Sequence, residues 1–274
     1  MTNVPDPDLL LLERQDGVAI ATLNDAERLN AMSEAMGQAL AGAVAALAQD
    51  ESVRVVVLTG AGRAFSAGGD LDLLERMGRD GNAAPGGEVR RRHEAFMGRF
   101  YRLFLRLRAL PQPTLAAVNG PAIGAGCCIA LACDLRIAAR EAKLGLNFNR
   151  LGLHPGMAAT WTLPHIVGPA RAAELLYTGR ILDGTEAERI GLVNRAVPRE
   201  SLRDEALALA RSIAESAPLS VRATKRSLAL SPFRTLEEQL DQEAREQALG
   251  YESADLLEGL AAARARRPPR FTGH

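Results

Sequence analysis

The chain has 274 residues, 47% of them hydrophobic, and this length and composition suit a globular protein with a sizeable buried core. Lysine plus arginine number 33 and aspartate plus glutamate number 33, so charge gives no reason to expect binding to nucleic acid or to an anionic membrane. No run approaches the about 18 uninterrupted apolar residues of a membrane helix, so no membrane span is predicted.

The cysteines and the N-terminus bear on the compartment. Cys127, Cys128 and Cys133 are an odd number crowded into one apolar segment, which fits neither a disulfide framework nor the paired spacing of a zinc site. We therefore expect a reducing cytoplasm and no metal. The N-terminal stretch MTNVPDPDLL lacks the basic region and apolar run of a secretory signal.

The first part of the chain alternates strand and helix patterns. Ser33 precedes an alanine-rich helical pattern and is suited to cap it. The run VRVVVLT is rich in β-branched residues, as in a strand buried on both faces. In chain order, we predict strands at 9–13 and 18–23, a helix at 33–49, a strand at 53–59 and a helix from about residue 70.

The next part contains the stretch with the least predicted order. Residues 78–88, GRDGNAAPGGE, read as a loop that would form a mobile lid or entrance. Prolines 111 and 113 end the basic helix that follows. In chain order, we then predict a helix at 89–109, a strand at 114–118, a helix from about 125, a strand ending near 138, helices at 157–167 and from 169, a strand at 192–196, and only helices from 198 onward.

A strand, a glycine-rich turn and a helix occur in succession twice, at 53–75 and at 114–132. Parallel βαβ units would place both turns at the carboxyl edge of one sheet, where ligands bind in such folds. Gly120, Gly124 and Gly126 have no Cβ, so backbone amides can approach a ligand there. A helix that begins near Ala125 would present unpaired amides and a positive dipole end to an anion, or to an oxygen that becomes one during reaction.

With these turns, the chain resembles the crotonase superfamily, also called the enoyl-CoA hydratase/isomerase family. The matching motifs follow one another through almost the whole chain and are specific as an ordered set. They are RLNAM at 28–32, AFSAGGDL at 64–71, VNGPAIGAG and ALACDLRIA within 118–138, LGLHPG at 151–156, LPHIVG at 163–168, TGR, EA and GLVN within 178–194, and EGLAAARARRPPRF at 258–271.

The resemblance implies an α/β fold, a crotonase-like spiral of ββα units with a helical C-terminal region. It divides the chain into a core, 1–197, and a helical region, 198–274, that packs against neighbouring subunits and covers coenzyme A. The implied ligand is an acyl-CoA thioester, with coenzyme A as part of the substrate and no other cofactor. The implied assembly is a homo-trimer or a dimer of trimers.

The resemblance also assigns residues. The amides of Gly69 and Ala125 match the two donors that bind the thioester oxygen, an oxyanion hole. Asp70 and Asp134 match acidic positions whose roles are structural, in helix capping and a buried hydrogen bond. The other substrate-binding matches are Arg28 near the coenzyme A phosphates, Ala64 and Ala67 at the adenine end, and Arg267 and Phe271 on a tail that reaches coenzyme A. The further residues expected to bind substrate are Gly68, Asp70, Leu71, Gly124, Cys128, Asn147 and Phe148.

The chain departs from the family at both catalytic carboxylates. Hydratases of the family carry two glutamates that activate water and transfer a proton, and here Cys128 and Phe148 occupy those positions. Phenylalanine cannot act as a general base, and apolar neighbours would raise the pKa of the Cys128 thiol. We interpret Cys128 as a packed small side chain and Phe148 as a lining of the acyl pocket, so the two-glutamate mechanism does not transfer.

Other side chains remain candidates for acid–base chemistry. His154 is the only histidine near the expected pocket, although a lone histidine is more often a packed or capping residue. Asn147 and Asn149 can orient a water or a carbonyl but cannot take a proton. The weaker candidates are Asp72 and Glu75 on one helix face, His93 and Glu94 on the basic helix, and Ser66 beside the first turn without a paired base.

Two functions therefore stay open from the sequence. One is an enzyme of the lyase or isomerase class that acts on an acyl-CoA thioester through the oxyanion hole, with an undetermined reaction. The other is a non-catalytic acyl-CoA-binding protein that keeps the cleft without the carboxylates. A dinucleotide-binding fold is excluded, because GAGRAF after the strand at 53–59 lacks the third glycine of that fingerprint.

Overall fold

The computed structural model of the protein describes residues 9–274. Residues 1–8, which hold most of the segment judged not to be a secretory signal, lie outside the described part. Among the described helices, none combines the length and the apolarity needed to cross a bilayer.

The strands form a main sheet and a small one. Six strands make the main sheet in the order β1-β2-β3-β4-β6-β9, and three make the second in the order β5-β7-β8, within the described residues. The strands are β1 (Leu10–Gln15), β2 (Val18–Leu23), β3 (Val55–Gly60), β4 (Thr114–Val118), β5 (Ala122–Ile123), β6 (Leu135–Ala139), β7 (Lys143–Gly145), β8 (Ile181–Asp183) and β9 (Arg195–Val197).

The main sheet is parallel except at one edge. A tight turn at Asp16 and Gly17, both with positive φ, reverses the chain so that β1 pairs antiparallel with β2. From β2 to β9 every neighbouring pair is parallel. Because β3 and β4 are adjacent, their carboxyl ends meet at one edge, as predicted from the repeated pattern.

The helices follow the strands and become consecutive after β9. Ser33 caps the first helix by accepting a hydrogen bond from the Met36 amide at 3.2 Å, as predicted. The helices are α1 (Glu34–Gln49), α2 (Leu71–Ala83), α3 (Gly87–Leu105), α4 (Ala125–Ala132), α5 (Ala159–Val167), α6 (Pro169–Thr178), α7 (Gly184–Arg189), α8 (Leu202–Ala214), α9 (Pro218–Leu230), α10 (Leu236–Tyr251) and α11 (Ala254–Ala265).

The prediction of a loop and lid at 78–88 is wrong. Helix α2 continues to Ala83 and α3 begins at Gly87, so only three residues, 84–86, connect them. A glycine inside a helix costs only about 1 kcal/mol relative to alanine, and Asp80 on α2 is paired with Arg92 and His93 of α3. Glycine content alone therefore misidentified this segment.

Two other boundaries differ from prediction for local reasons. Helix α5 starts two residues late because Met157 and Ala158 both have positive φ. The last strand lies at 195–197 instead of 192–196, because the amides of Leu192 and Val193 bond to the Ala187 carbonyl and close a turn.

Helix α8 belongs to the sheet and not to the tail. It packs against β2, β3, β4 and β6, and Leu202, Ala206 and Ala210 on it are buried. In α9 and α10, by contrast, no residue is fully buried. The buried core therefore extends through Ala214 of α8. The division of the chain at 198 remains a prediction.

Candidate active site

Two turns at the carboxyl edge of the main sheet form the centre of the site. The first runs from the end of β3 to α2, and the second from the end of β4 to α4. The Ser66 amide donates to the Pro121 carbonyl and the Ile123 amide donates to the Ser66 carbonyl, each at 3.0 Å. The Asn119 side chain also bonds the backbone of Gly60, at 2.9 and 3.2 Å. These bonds join the two turns into one unit.

The backbones of the two turns lie in direct contact at residues 68 and 125. Gly68 has φ +98°, and a β-carbon on it would lie 3.6 Å from the Ala125 nitrogen and collide with the Ile123 carbonyl. Only glycine fits there, because it has no Cβ and adopts positive φ freely. The structure thus brings Gly68, the residue before Gly69, against Ala125; Gly69 and Ala125 are the positions that the resemblance assigns to the thioester oxygen.

The start of α4 has the electrostatic character of an anion site. Ala125 is the first residue of α4, a helix whose eight residues are all buried. Within residues 9–274, the amides of Gly69 and Ala125 are not among the donors of backbone hydrogen bonds. Both N–H groups are therefore available to an oxygen that gains negative charge, and that of Ala125 also lies at the positive end of the α4 dipole.

Asn147 and Phe148 lie beside the second turn. A β-carbon on Gly124 would lie 3.5 Å from the Asn147 side-chain oxygen and 3.9 Å from the tip of the Phe148 ring. Phe148 is half-buried and packs on the core. The structure therefore places an amide and a ring next to the candidate oxyanion site, where the resemblance would put a carboxylate.

Cys128 lies one helical turn after Ala125 on α4. Its Sγ is 3.7 Å from the Gly156 carbonyl oxygen, and the side chain is buried. Burial raises the pKa of the Cys128 thiol well above its ordinary value, so the thiol is protonated at neutral pH. This pKa shift agrees with the interpretation of Cys128 as a packed side chain.

Tyr101 on α3 was not recognised from the sequence. A β-carbon on Gly156 would lie only 2.5 Å from the Tyr101 hydroxyl oxygen, which places this hydroxyl over Gly156 and on the Cys128 side of the site. The side chain projects from a helix face that is otherwise apolar, with Phe100 and Phe104 packed against one another at 5.1 Å. The one feature of the sequence that could have identified Tyr101 is its hydroxyl group on an otherwise apolar helix face.

The candidates for acid–base chemistry lie elsewhere or are already paired. His154 is exposed. The Ser66 hydroxyl donates to the Asn30 carbonyl at 2.8 Å and accepts from the Gly68 amide at 3.2 Å, so it supports the first turn. Glu75 pairs with Arg79 along α2. Asp72 and Glu94 are exposed, and Asp72 acts electrostatically on Arg28.

His93 lies in a separate cavity between α2 and α3. Its Nε2 is 3.0 Å from a carboxylate oxygen of Asp80. Hydrogen bonds from Arg92 and then from His93 hold the pKa of Asp80 below its ordinary value. The cavity has a volume of about 340 Å³ and is lined by Leu73, Arg76, Met77, Asp80, Arg92, His93 and Phe96.

Arg28 and Asp70 form an ion pair beside the first turn. An Nη of Arg28 lies 2.7 Å from Asp70, and the arginine side chain is 51% exposed. Asp70 also accepts from the Asp72 and Leu73 amides and so caps α2, the structural role expected of it. Partial burial opposes ionisation, but hydrogen bonds from the Leu73 amide and Arg28 outweigh it and lower the pKa of Asp70. Arg28 thus presents a positioned cation at the surface.

The remaining positions around the first turn differ in exposure. Ala67 and Leu71 are exposed, whereas Ala64 is buried and its carbonyl accepts from the Asn30 side chain at 2.9 Å. The second predicted structural carboxylate, Asp134, accepts from the Thr114 amide at 2.7 Å and pairs with Lys225 at 2.8 Å. Asp134 therefore has the structural role expected of it, but its side chain is 38% exposed, so the expectation of a buried hydrogen bond is wrong.

The C-terminal tail is attached to its own chain. Arg267 makes a bidentate ion pair with Glu258 of α11, at 2.6 and 2.8 Å. The Phe271 carbonyl accepts from Arg54 at 2.6 Å, and the buried Asp255 carboxylate accepts from the amides of residues 272 and 273. The tail is therefore held against α11 and Arg54.

The chain is similar to known proteins over almost its whole length. The family model described as enoyl-CoA hydratase/isomerase matches residues 13–274. A putative enoyl-CoA hydratase of Thermus thermophilus is 42% identical over 254 residues, which cover 93% of this chain and 97% of that protein. The 1,2-epoxyphenylacetyl-CoA isomerase of Escherichia coli is 39% identical over 267 residues, 97% of this chain and 99% of that protein. The crystal structure of an enoyl-CoA hydratase from Bacillus anthracis superposes with a TM-score of 0.88 at 35% identity and covers 97% and 100% of the two chains.

Proposed function

The chain belongs to the enoyl-CoA hydratase/isomerase family and has the crotonase fold, and from this premise we propose that it is an enzyme that polarises an acyl-CoA thioester between the amides of Gly69 and Ala125. The single observation that carries the proposal is the contact of the two turns, with residue 68 against the Ala125 nitrogen. Two donors from separate loops then face one carbonyl oxygen.

The energetic benefit of this arrangement arises when charge develops on the oxygen. One preorganised backbone donor contributes about 3–4 kcal/mol to the stability of an oxyanion in a water-excluded site. The hydrogen bonds between the turns hold both donors in place before substrate arrives. The device serves any reaction that passes through a thioester enolate or oxyanion, in the lyase or the isomerase class.

The reaction differs from hydration by two glutamates. Cys128 is a protonated thiol and Phe148 has no titratable group, so neither position supplies a base. Double-bond isomerisation, decarboxylation and other bond changes at the acyl group need the oxyanion hole but fewer acid–base groups. We propose a reaction of this kind.

Coenzyme A would bind along the first turn, beyond the thioester. Arg28 offers a half-exposed cation fixed by Asp70, which suits a phosphate group. The backbone near Ala64 and Ala67 would line the adenine end. Arg267 and Phe271, on the tail anchored to α11, would cover coenzyme A, bound either to this subunit or to a neighbour.

Assembly into trimers or pairs of trimers forms part of the proposal, as does a cytoplasmic location, which suits three free cysteines. Contiguous helices with many exposed large apolar side chains are a mark of subunit contacts. Such side chains on α9, α10, α11 and the turn at 231–233 are Leu219, Leu228, Leu230, Phe233, Leu236, Leu240, Leu249, Tyr251, Leu257 and Leu260.

A binding-only role is the second candidate, and one observation favours it. Neither of the family's catalytic carboxylates is present, and His154, the histidine nearest to Phe148 in the sequence, is exposed. Such a protein would hold an acyl-CoA in the same cleft without transforming it.

One experiment separates the two candidates. Calorimetric titration with butyryl-CoA measures binding, and turnover is followed with a panel of acyl-CoA esters that begins with crotonyl-CoA, together with hydrogen exchange at the acyl α-carbon in D2O. Binding with turnover or exchange supports the enzyme. Tight binding with neither supports the binding protein, and failure to bind any acyl-CoA would refute both.

A further inference from the structure

The hydroxyl of Tyr101 is a polar side-chain group beside the site that the proposed function does not use. It lies over Gly156, whose carbonyl contacts the Cys128 thiol. Within residues 9–274 the hydroxyl makes no hydrogen bond and is not among the polar atoms sealed inside the protein without a partner. It is thus free to bond a molecule that enters the site.

The Tyr101 hydroxyl is near Cys128, and the distance along α4 from Ala125 to Cys128 can be compared with the length of an acyl chain. Cys128 follows Ala125 by three residues, and three residues of helix rise about 4.5 Å. A thioester whose oxygen bonds the Ala125 amide extends its acyl chain by a comparable distance to the β-carbon. An acyl chain that runs along α4 would therefore pass the Tyr101 hydroxyl near that carbon, because the hydroxyl lies near Cys128.

The surroundings of the hydroxyl determine which group it can bind. Burial raises the pKa of Tyr101, and the nearby Cys128 adds to this effect, so the phenol is neutral and able to donate. Cys128, Phe148 and Gly156 carry no charge at neutral pH. A carboxylate in that position would be desolvated without a cation, whereas an uncharged oxygen would be satisfied by one hydrogen bond.

We propose that Tyr101 determines specificity in this site by donating a hydrogen bond to an uncharged oxygen on the β-carbon of the acyl chain. The substrate or product class is then a 3-hydroxyacyl-CoA or 3-oxoacyl-CoA. This inference rests on the proposed binding of an acyl-CoA thioester between Gly69 and Ala125. It adds the group that distinguishes one acyl chain from another.

The test compares two ligands that differ by one oxygen, 3-hydroxybutyryl-CoA and butyryl-CoA, by calorimetric titration. Tyr101→Phe removes the hydroxyl and keeps the ring. We expect the Kd for 3-hydroxybutyryl-CoA to rise about 3- to 10-fold, the effect of losing one hydrogen bond, and the Kd for butyryl-CoA to change less than about 2-fold. Tyr177→Phe is the matched control, because Tyr177 is 77% exposed on α6.

Gly156→Ala provides an independent route to the same result. Its β-carbon would lie 2.5 Å from the hydroxyl oxygen, so Tyr101 must move although its hydroxyl remains. We expect the same selective loss for 3-hydroxybutyryl-CoA. Equal weakening of both ligands by Tyr101→Phe, or no weakening, would overturn the specificity role. If wild-type protein bound neither ligand, the proposed function would fail with it.

Discussion

Replacement of Ala125 by proline tests the oxyanion hole, because it removes a single backbone hydrogen-bond donor. Ala125 is the first residue of α4, a position where proline is tolerated because its φ suits the helix and the missing N–H has no partner in the helix. Gly124 before it, at φ 54° and ψ −117°, lies outside the helical region that a following proline disfavours. Gly68 has no side chain to obstruct the new ring.

The expected effect is large on the reaction and small on coenzyme A. Loss of one preorganised donor lowers kcat by about 10²- to 10³-fold, or about 2.7–4 kcal/mol. Free coenzyme A has no thioester oxygen and should bind as before. The carbonyl infrared band of bound butyryl-CoA, shifted to lower frequency by two donors, should move back towards its position in water. This readout applies whether or not the protein turns the ester over.

The control is proline at the first residue of another helix, Glu34→Pro in α1, where Glu34 is exposed. Both variants should keep the cooperative thermal unfolding of the wild type. The assignment of the Ala125 amide would be refuted by a folded Ala125→Pro protein that has the turnover of the wild type and the same carbonyl band for bound butyryl-CoA.

Three further outcomes are expected. A β-carbon on Gly126 would lie 2.8 Å from side-chain atoms of the first turn and closer still to a backbone carbonyl, so Gly126→Ala should destabilise by about 1–3 kcal/mol in a denaturant titration. Gly42→Ala in α1 should not destabilise the protein, because a β-carbon on Gly42 would have no atom within 4 Å. Equal denaturation midpoints for the Gly126 and Gly42 variants would contradict this packing. Cys128→Ser should leave activity largely intact at a cost of about 1–3 kcal/mol in stability, and a loss of activity by several orders of magnitude would show a reactive thiol. Hydrogen bonds from Arg267 and then a backbone amide lower the pKa of Glu258 from its ordinary 4.5 to about 2. The contribution of ionised Glu258 to folding stability is therefore complete above pH 4.5 and disappears as the pH falls to about 2. A ¹³C titration of the Glu258 carboxyl should have its midpoint at about 2, and Arg267→Gln should raise that midpoint. A wild-type midpoint near 4.5 would exclude the ion pair.

Local patterns accounted for the centre of the fold. A strand pattern before each glycine turn predicted two parallel strands, and both turns lie at the carboxyl edge of the sheet. Ser33 caps α1 as predicted. These features depend on residues close together in the chain, so the sequence contains their signals.

Features that arise from distant segments were not predictable in this way. Tyr101 meets Gly156 across 55 positions of the chain, and nothing in either local pattern announces the contact. The pair of Asp80 with His93 stabilises two helices where glycine content indicated a loop. Arg54 bonds the Phe271 carbonyl from the far end of the chain, so the anchoring of the tail was equally hidden.

The cross-bonding of the two turns also bears on how this protein can change over time. The amides that would bind the ester belong to two turns joined by backbone hydrogen bonds of Ser66 with Pro121 and Ile123. The side chains of Cys128, Phe148 and Tyr101 take no part in these bonds between the turns. Mutation can therefore replace these side chains one by one while the two amides keep their positions.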